Sequence, residues 1–306
     1  MNNVTGKLLD IVAGWMGEPK NAAYNIREDG LCAGRRPTEN IRIEPKADKP
    51  GIDIIVAPGT KGETAYIPAC VTKSGVDDLV YNDFYIGEGA DVTIIAGCGV
   101  HSEGEEEARH NGVHRFFIGE NARAVYIEKH VGTGQGAGAR VINPKTYIEI
   151  AAGGQMEMES VQIGGVDRTD RTTEAKLAQD ARLLVRERLL TEGEQQAATC
   201  FDVEINGQGA GCDLISRSVA KDHSHQDFRS KVYGNAPCTG HSECDAILIG
   251  HGAVAAAPEL IANHPEAALI HEAAIGKIAG EQLLKLQTLG LTEQQAEEKI
   301  VEGFLR

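Results

Sequence analysis

The chain predicts a mainly β fold, a parallel β-helix (solenoid), followed by a short α-helical region at its C-terminus. Three observations point there: a corner-and-strand motif that recurs at nearly even intervals, a composition rich in glycine and poor in aromatics, and helical periodicity confined to the tail beyond an N-terminal segment. The 306 residues include 36 glycines, and aromatics make up only 5%. That balance suits a core of small and β-branched side chains with many turns, and suits a conventional enzyme core less well. The length allows one large repetitive domain or two ordinary ones.

The repeat begins with Ile86-Gly-Glu-Gly-Ala90-Asp-Val-Thr-Ile-Ile95 and returns as Ile118-Gly-Glu-Asn-Ala122-Arg-Ala-Val-Tyr-Ile127. Further copies start at Ile150, Leu177 and Ile205, and a sixth is read at Gly240 to Ile249. In most copies an apolar residue precedes a polar or glycine corner, a small residue closes the corner, and an alternating strand follows. From 86 to 118 and from 118 to 150 the step is 32; from 150 to 177 it is 27, and from 177 to 205 it is 28. Each unit has too little surface to bury its own apolar face, so stacking on neighbours must complete the core. A β-sandwich with coincidental Gly-Ala corners is the competing fold, and it accounts less well for the even spacing.

In chain order, three regions are expected. Residues 1–50 hold a short amphipathic helix over 4–16, with Leu8, Leu9, Val12, Trp15 and Met16 near one face, then an irregular stretch from Gly17 to Pro50. Residues 51–274 form the solenoid, entered through strand-like runs at 52–56, 65–68 and 79–81. Residues 101–112 and 132–138 are expected to project as loops. In 275–306 the spacing predicts a helix over 275–289, stopped by Gly290, and a second helix opened by a Thr292/Gln295 capping box.

The formal charge of −15 argues against a nucleic-acid or anionic-membrane footprint. Leu8 to Met16 is interrupted by Asp10 and Gly14, and no run approaches the length of a membrane span, so a cytoplasmic protein is expected. In that compartment the seven cysteines are thiols rather than disulfides. No CxxC or HExxH occurs, and Gly132–Gly138 lacks the lysine of a phosphate-binding loop.

Chemistry concentrates near the end of the repeat. Cys244 follows the polar run His241-Ser-Glu, which suggests an accessible strand entrance; a thiolate there could carry sulfur or ligate iron. Cys212 lies 32 residues earlier, close to one repeat, so the two thiols are expected at equivalent places on neighbouring rungs, although Cys212 alone reads as a buried small hydrophobe. His271 and Glu272 are adjacent strand residues and should point to opposite faces; Glu272 could equally be a helix-start carboxylate. His223 and His225 place two imidazoles on one face of an extended segment, a borderline metal pair that solvated surface histidines would also explain.

Glu243-Cys-Asp-Ala-Ile-Leu-Ile-Gly250, Pro258, Ile270-His-Glu-Ala-Ala-Ile-Gly-Lys-Ile278, Glu281-Gln-Leu283, Gly290-Leu291, Ala296 and Ile300-Val-Glu-Gly-Phe304 together resemble the SufB/SufD family, scaffold subunits of the SUF iron–sulfur cluster assembly machinery. The tail looks more like the SufB branch. Upstream, the resemblance rests on the repeat and on the Lys61-Gly-Glu63 turn. It implies a right-handed parallel β-helix, a C-terminal region (Ile278, Leu283, Leu286 and Phe304) that docks a SufC-type ABC ATPase, and pairing across the C-terminal ends of two β-helices, in a homodimer or with a SufB/SufD paralogue. It further implies a transient iron–sulfur cluster held by Cys244 with Glu272 and His271, and a cysteine desulfurase or other sulfur donor as a further partner.

The chain departs from the family in lacking the long N-terminal region of typical SufB proteins and in carrying Leu284-Lys285 where an aromatic pair is common. It fits neither paralogue cleanly, so a minimal version that pairs with itself is expected, a scaffold rather than an enzyme. Two rivals remain: a structural adaptor of an ATPase with no metal of its own, and a β-solenoid hydrolase acting on carbohydrate through an acidic pair such as Glu157 and Glu159.

Overall fold

A computed structural model describes residues 2–15, 17, 19 and 21–306. The chain opens with helix α1 (Asn3–Ala13) and four short strands, β1 (Ala23–Glu28), β2 (Leu31–Arg36), β3 (Ile41–Pro45) and β4 (Gly51–Val56). The coils follow: β5 (Lys61–Val71), β6 (Asp77–Ile86), β7 (Asp91–His101), β8 (Ala108–Ile118), β9 (Arg123–Thr133), β10 (Arg140–Ile142), β11 (Lys145–Ile150), β12 (Gln155–Ile163), β13 (Arg168–Leu177), β14 (Arg182–Thr191), β15 (Gln196–Ile205), β16 (Gly211–Ala220), β17 (His225–Gly234), β18 (Cys238–Leu248), β19 (Ala253–Ala262) and β20 (Ala267–Gly276). Helices α2 (Gly280–Thr288) and α3 (Glu293–Phe304) end the chain.

The strands make two facing sheets, and the fold is a parallel β-solenoid of about eight turns. One sheet runs β2-β1-β5-β7-β9-β12-β14-β16-β18-β20; the other runs β19-β17-β15-β13-β10-β8-β6-β4-β3, with β11 between β13 and β8. Among the described residues, pairing along the coils is parallel, and only β1–β2 and β3–β4 are antiparallel. The repeat sets the register. Ile86 stands opposite Ile118, Ile118 opposite Ile150, Ile150 opposite Leu177, and Leu177 opposite Ile205, one buried ladder at the corner. The 32-residue steps exceed the later ones because residues 102–107 and 134–139 leave the coil as loops; Ala108–Gly112, expected in the first loop, is strand.

The sixth copy is misplaced in the sequence reading. The residue opposite Ile205 is Gly234, and Gly240 instead lies opposite Cys212 in the other sheet. Glycine at the leading position erases the apolar mark that identifies the other copies. The stretch from Gly17 to Pro50, expected to be irregular, forms β1 to β3, so the sheets begin before residue 51. These strands are short and built into hairpins, and their turn residues hid them.

Helix α1 lies across the outer face of β5, β7 and β9. Asn2 caps it by accepting from the Thr5 N–H at 2.8 Å, and Gly14 ends it with φ of 60°. Leu8, Leu9, Val12 and Trp15 are buried beneath it; Met16 falls outside the described residues. Gly97 and Gly99 of β7 leave room for this contact, since a Cβ on Gly97 would lie 2.7 Å from Val12 and one on Gly99 2.9 Å from Leu8. At the other end Thr292 and Gln295 form the expected capping box of α3. The first tail helix starts later than the spacing suggests, because Ile275 and Gly276 still belong to β20. An ion pair from Lys221 to Glu297, 3.5 Å, and a hydrogen bond from Arg188 to the Arg306 carbonyl, 3.3 Å, tie the tail to the solenoid.

Candidate functional site

Strand alternation sorts the candidate residues onto two faces of one sheet. On β18, Ser242, Cys244 and Ala246 point into the solenoid, while His241, Glu243 and Asp245 point out. The last strand continues the pattern: His271 is the register partner of Ser242, Glu272 of Glu243, and Ala273 of Cys244. His271 therefore shares the inner face with Cys244, and Glu272 lies on the outer face, as expected of adjacent strand residues.

Cys244 is 1% exposed, which corrects the expectation of an accessible entrance: the polar residues before it alternate with it and take the solvent side. Burial, with Glu187 and Asp245 nearby, pushes its thiol up to about 12. It nevertheless sits one strand from the end of its sheet, where Ala273 and Ile275 at inward positions are already exposed. The Nδ1 atom of His271 is buried and has no hydrogen-bond partner among the described residues.

Cys212 is also buried with its thiol pushed up to about 12, chiefly by burial. It is not equivalent to Cys244. Its neighbour across the sheet is Gly240, and that of Cys244 is Ser216, a shift of four residues or about 13 Å along the strand. His223 and His225 do not converge either. His223 is an exposed turn residue whose ring stacks on His251 at 4.9 Å, and His225 is exposed at the start of β17.

The structure adds a buried polar file that the sequence reading missed. Glu128, Ser160, Glu187, Ser216 and Cys244 are successive register partners on the inner face of one sheet. Arg171 from the opposite sheet reaches Glu128 at 2.6 Å and His130 at 3.0 Å, and its Nε lies 3.5 Å from Glu187. Thr199 and Ser216 each donate to Glu187 at 2.8 Å. Burial alone would raise the Glu128 carboxyl, but His130 and Arg171 hold it well below the usual range. Burial drives His114 down to about 4 and lowers His130, so both imidazoles are neutral near neutral pH. One signal was available: Glu128 and His130 stand at the apolar phase of Ala124 and Tyr126 in β9.

On the outer face, donor atoms of His241, Glu243 and Glu272 lie within 4.8 Å of one another. Burial and the adjacent Asp245 raise the Glu243 carboxyl. Elsewhere, Glu157 is paired with Arg186 and Arg123, and Glu159 with Arg188 at 2.8 Å. A groove of 810 Å³ passes Tyr85, Phe117, Glu149 and Lys176 on the other sheet, so the acidic pair is neither free nor in the groove. In the tail, Ile278, Leu283, Leu286 and Phe304 are half-buried, and Leu284 and Leu289 are the exposed apolar residues. All seven cysteines are free thiols, and no described helix is long and apolar enough to cross a membrane.

The last coils of the solenoid place a thiol and an imidazole on one inner face. The family described as SUF system FeS cluster assembly, SufBD core domain matches residues 81–304, which takes in most of the coils and the tail, and the chain belongs to that family. It is 28% identical over 270 residues to an iron-sulfur cluster assembly SufBD family protein of Archaeoglobus fulgidus, covering 87% of this chain and 71% of that one. A protein of the same description from Methanocaldococcus jannaschii is 28% identical over 237 residues, 77% of this chain and 74% of that one. One from Pyrococcus horikoshii is 31% identical over 204 residues, 64% and 60% of the two chains.

Proposed function

We propose that this chain is a scaffold on which iron and sulfide are assembled, with Cys244 supplying the thiolate and His271, from the same or a partner chain, completing the inner-face site. The observation that carries this reading is that Cys244 and His271, whose Nδ1 has no hydrogen-bond partner among the described residues, share one face of the last two strands of a sheet.

Two further features support partners. Strands β19 and β20 are ten residues each, mostly apolar, and leave Leu260, Ile270 and Ile275 exposed. The opposite edges, β2 and β3, are short and carry Arg35, Arg36, Arg42, Glu44 and Pro45, which discourage strand addition. We take the long edges as the face that meets a second copy or a paralogue. A SufC-type ATPase would dock on α2 and its C-terminal end through Leu284 and Leu289, shifted from the half-buried residues named above.

The test is anaerobic reconstitution with ferrous iron and sulfide, followed by visible absorption. Cys244→Ser and His271→Ala are expected to lose the cluster spectrum. A Cys244→Ser protein holding the same cluster with an unchanged spectrum would show the thiol assignment to be wrong.

A further inference from the structure

The sheet that contains β4, β6, β8, β11 and β13 carries an apolar groove on its outer face, running along the solenoid axis. Its floor is a column of outward residues held in register: Ile55 stands opposite Tyr85, Tyr85 opposite Phe117, Phe117 opposite Glu149, and Glu149 opposite Lys176. Tyr85 is 40% exposed, and its ring stacks on that of Phe117 at 5.1 Å and 9°. Where these strands end, the chain turns through Gly87, Gly119, Ala151 and Ala178, so no large side chain fills the trough beside the rings. The groove has a volume of 810 Å³. From Ile55 to Lys176 it crosses successive strand spacings that sum to about 19 Å.

Two properties of the lining select an occupant. The first is charge. Glu88 and Glu149 are exposed carboxylates at the groove, set against the ammonium of Lys176, and none of the three has an ion-pair partner among the described residues. Nearby carboxylates are neutralised instead. Asp83, two residues before Tyr85 on the same face, is paired with Lys46 and Arg115, and Glu157 and Glu159 on the other sheet are paired with arginines. An apolar floor flanked by unpaired carboxylates, on a chain of net charge −15, is complementary to a segment that carries apolar residues together with Lys or Arg. The same charge repels an acidic segment or a nucleic acid.

The second property is the backbone. The corner amides are already used: Gly87 donates to Val56, Gly119 to Ile86, Ala151 to Ile118 and Ala178 to Ile150, at 2.9–3.0 Å. The strands under the floor pair with neighbours inside the sheet. An extended segment laid here would find no open sheet edge and would leave its own N–H and C=O groups unpaired against the rings. A helix satisfies its backbone internally and needs only side-chain contacts.

We propose that this groove docks one basic, amphipathic α-helix of a partner protein, about 13 residues long and aligned with the solenoid axis. Its apolar stripe rests on Ile55, Tyr85 and Phe117, and its Lys or Arg side chains meet Glu88 and Glu149. The groove belongs to β4 through β13, whereas Cys244 and His271 belong to β18 and β20, so the helix and the inner-face site are independent of each other.

The experiment is fluorescence anisotropy of a labelled leucine–lysine peptide of about 13 residues, patterned as an amphipathic helix and titrated with the full chain. Two companion peptides separate the causes: one of the same composition scrambled to remove the apolar stripe, and one with glutamate in place of lysine. The patterned lysine peptide is expected to bind, and each companion to bind at least about tenfold more weakly. Tyr85→Ala and Glu149→Lys should each weaken the lysine peptide by about tenfold, with far-UV spectra unchanged to show that both variants fold. Glu105→Lys makes the same charge change at an exposed loop residue outside the groove and should leave binding unaltered. Absence of binding overturns the site. So does equal weakening by Glu105→Lys and Glu149→Lys, which would reduce the effect to net charge, or equal binding of the scrambled peptide, which would assign an extended segment. Self-association of the wild type in sedimentation that Tyr85→Ala abolishes would give the groove to a second copy and overturn the partner helix.

Discussion

Arg171 offers the most demanding test of the interior. Its side chain is 3% exposed and serves two buried carboxylates from different coils, Glu128 and Glu187, together with His130. Arg171→Met keeps much of the volume and leaves those groups without their cation. Removing one partner of a buried ion pair costs about 3–5 kcal/mol, a large share of the roughly 5–15 kcal/mol that holds a typical domain folded. With a urea slope of about 3 kcal/mol/M, the midpoint should fall by about 1 M or more.

The pH dependence sharpens the prediction. In the wild type, Glu128 is held well below its ordinary value, so its contribution is complete above the unfolded value of about 4.3 and fades as the pH falls through the folded one. In the variant, burial without the guanidinium raises the carboxyl instead. The penalty is then greatest at neutral pH and is relieved as protonation sets in on acidification. Urea titrations at pH of about 7.5 and about 5, followed by far-UV circular dichroism, measure both. Fluorescence would be misleading, because the one tryptophan, Trp15, sits under α1 and reports on that corner. A midpoint shift below about 0.3 M at neutral pH, or a gap that widens on acidification, would refute the reasoning.

Two other outcomes follow from the same packing. Cys244, buried and with its thiol raised to about 12, should alkylate far more slowly than exposed Cys32; peptide-resolved mass spectrometry compares the two, and similar rates would contradict the burial. Gly165→Ala should cost about 1–3 kcal/mol, because φ is +78° and the added Cβ would lie 1.9 Å from the Gly132 carbonyl oxygen; an unchanged melting temperature would mean that the corner relaxes freely.

The solenoid was legible because one large apolar residue marks each corner: Ile86, Ile118, Ile150, Leu177 and Ile205 stack as their spacing implies. Where glycine replaces that residue, at 234, the register slipped and carried Cys212 into a false equivalence with Cys244. The opposite orientations of His271 and Glu272 followed from strand alternation alone. The depth of Cys244 did not, since a polar run before a cysteine describes the outer face as readily as an entrance. The Glu128–Arg171 pair was hidden by distance, its members being 43 residues apart on facing sheets. Isolated polar residues in an alternating strand look solvated unless their phase is compared with that of Tyr126.

The two ends of the solenoid differ in what they permit. Short, charged β2 and β3 resist growth in one direction, whereas β19 and β20 leave long rows of backbone groups open in the other. Stacked coils with two receptive ends would propagate into fibres, head to tail and without limit. With one end silent, any association through the other would stop at a closed pair, and polarity alone would guard against polymerisation.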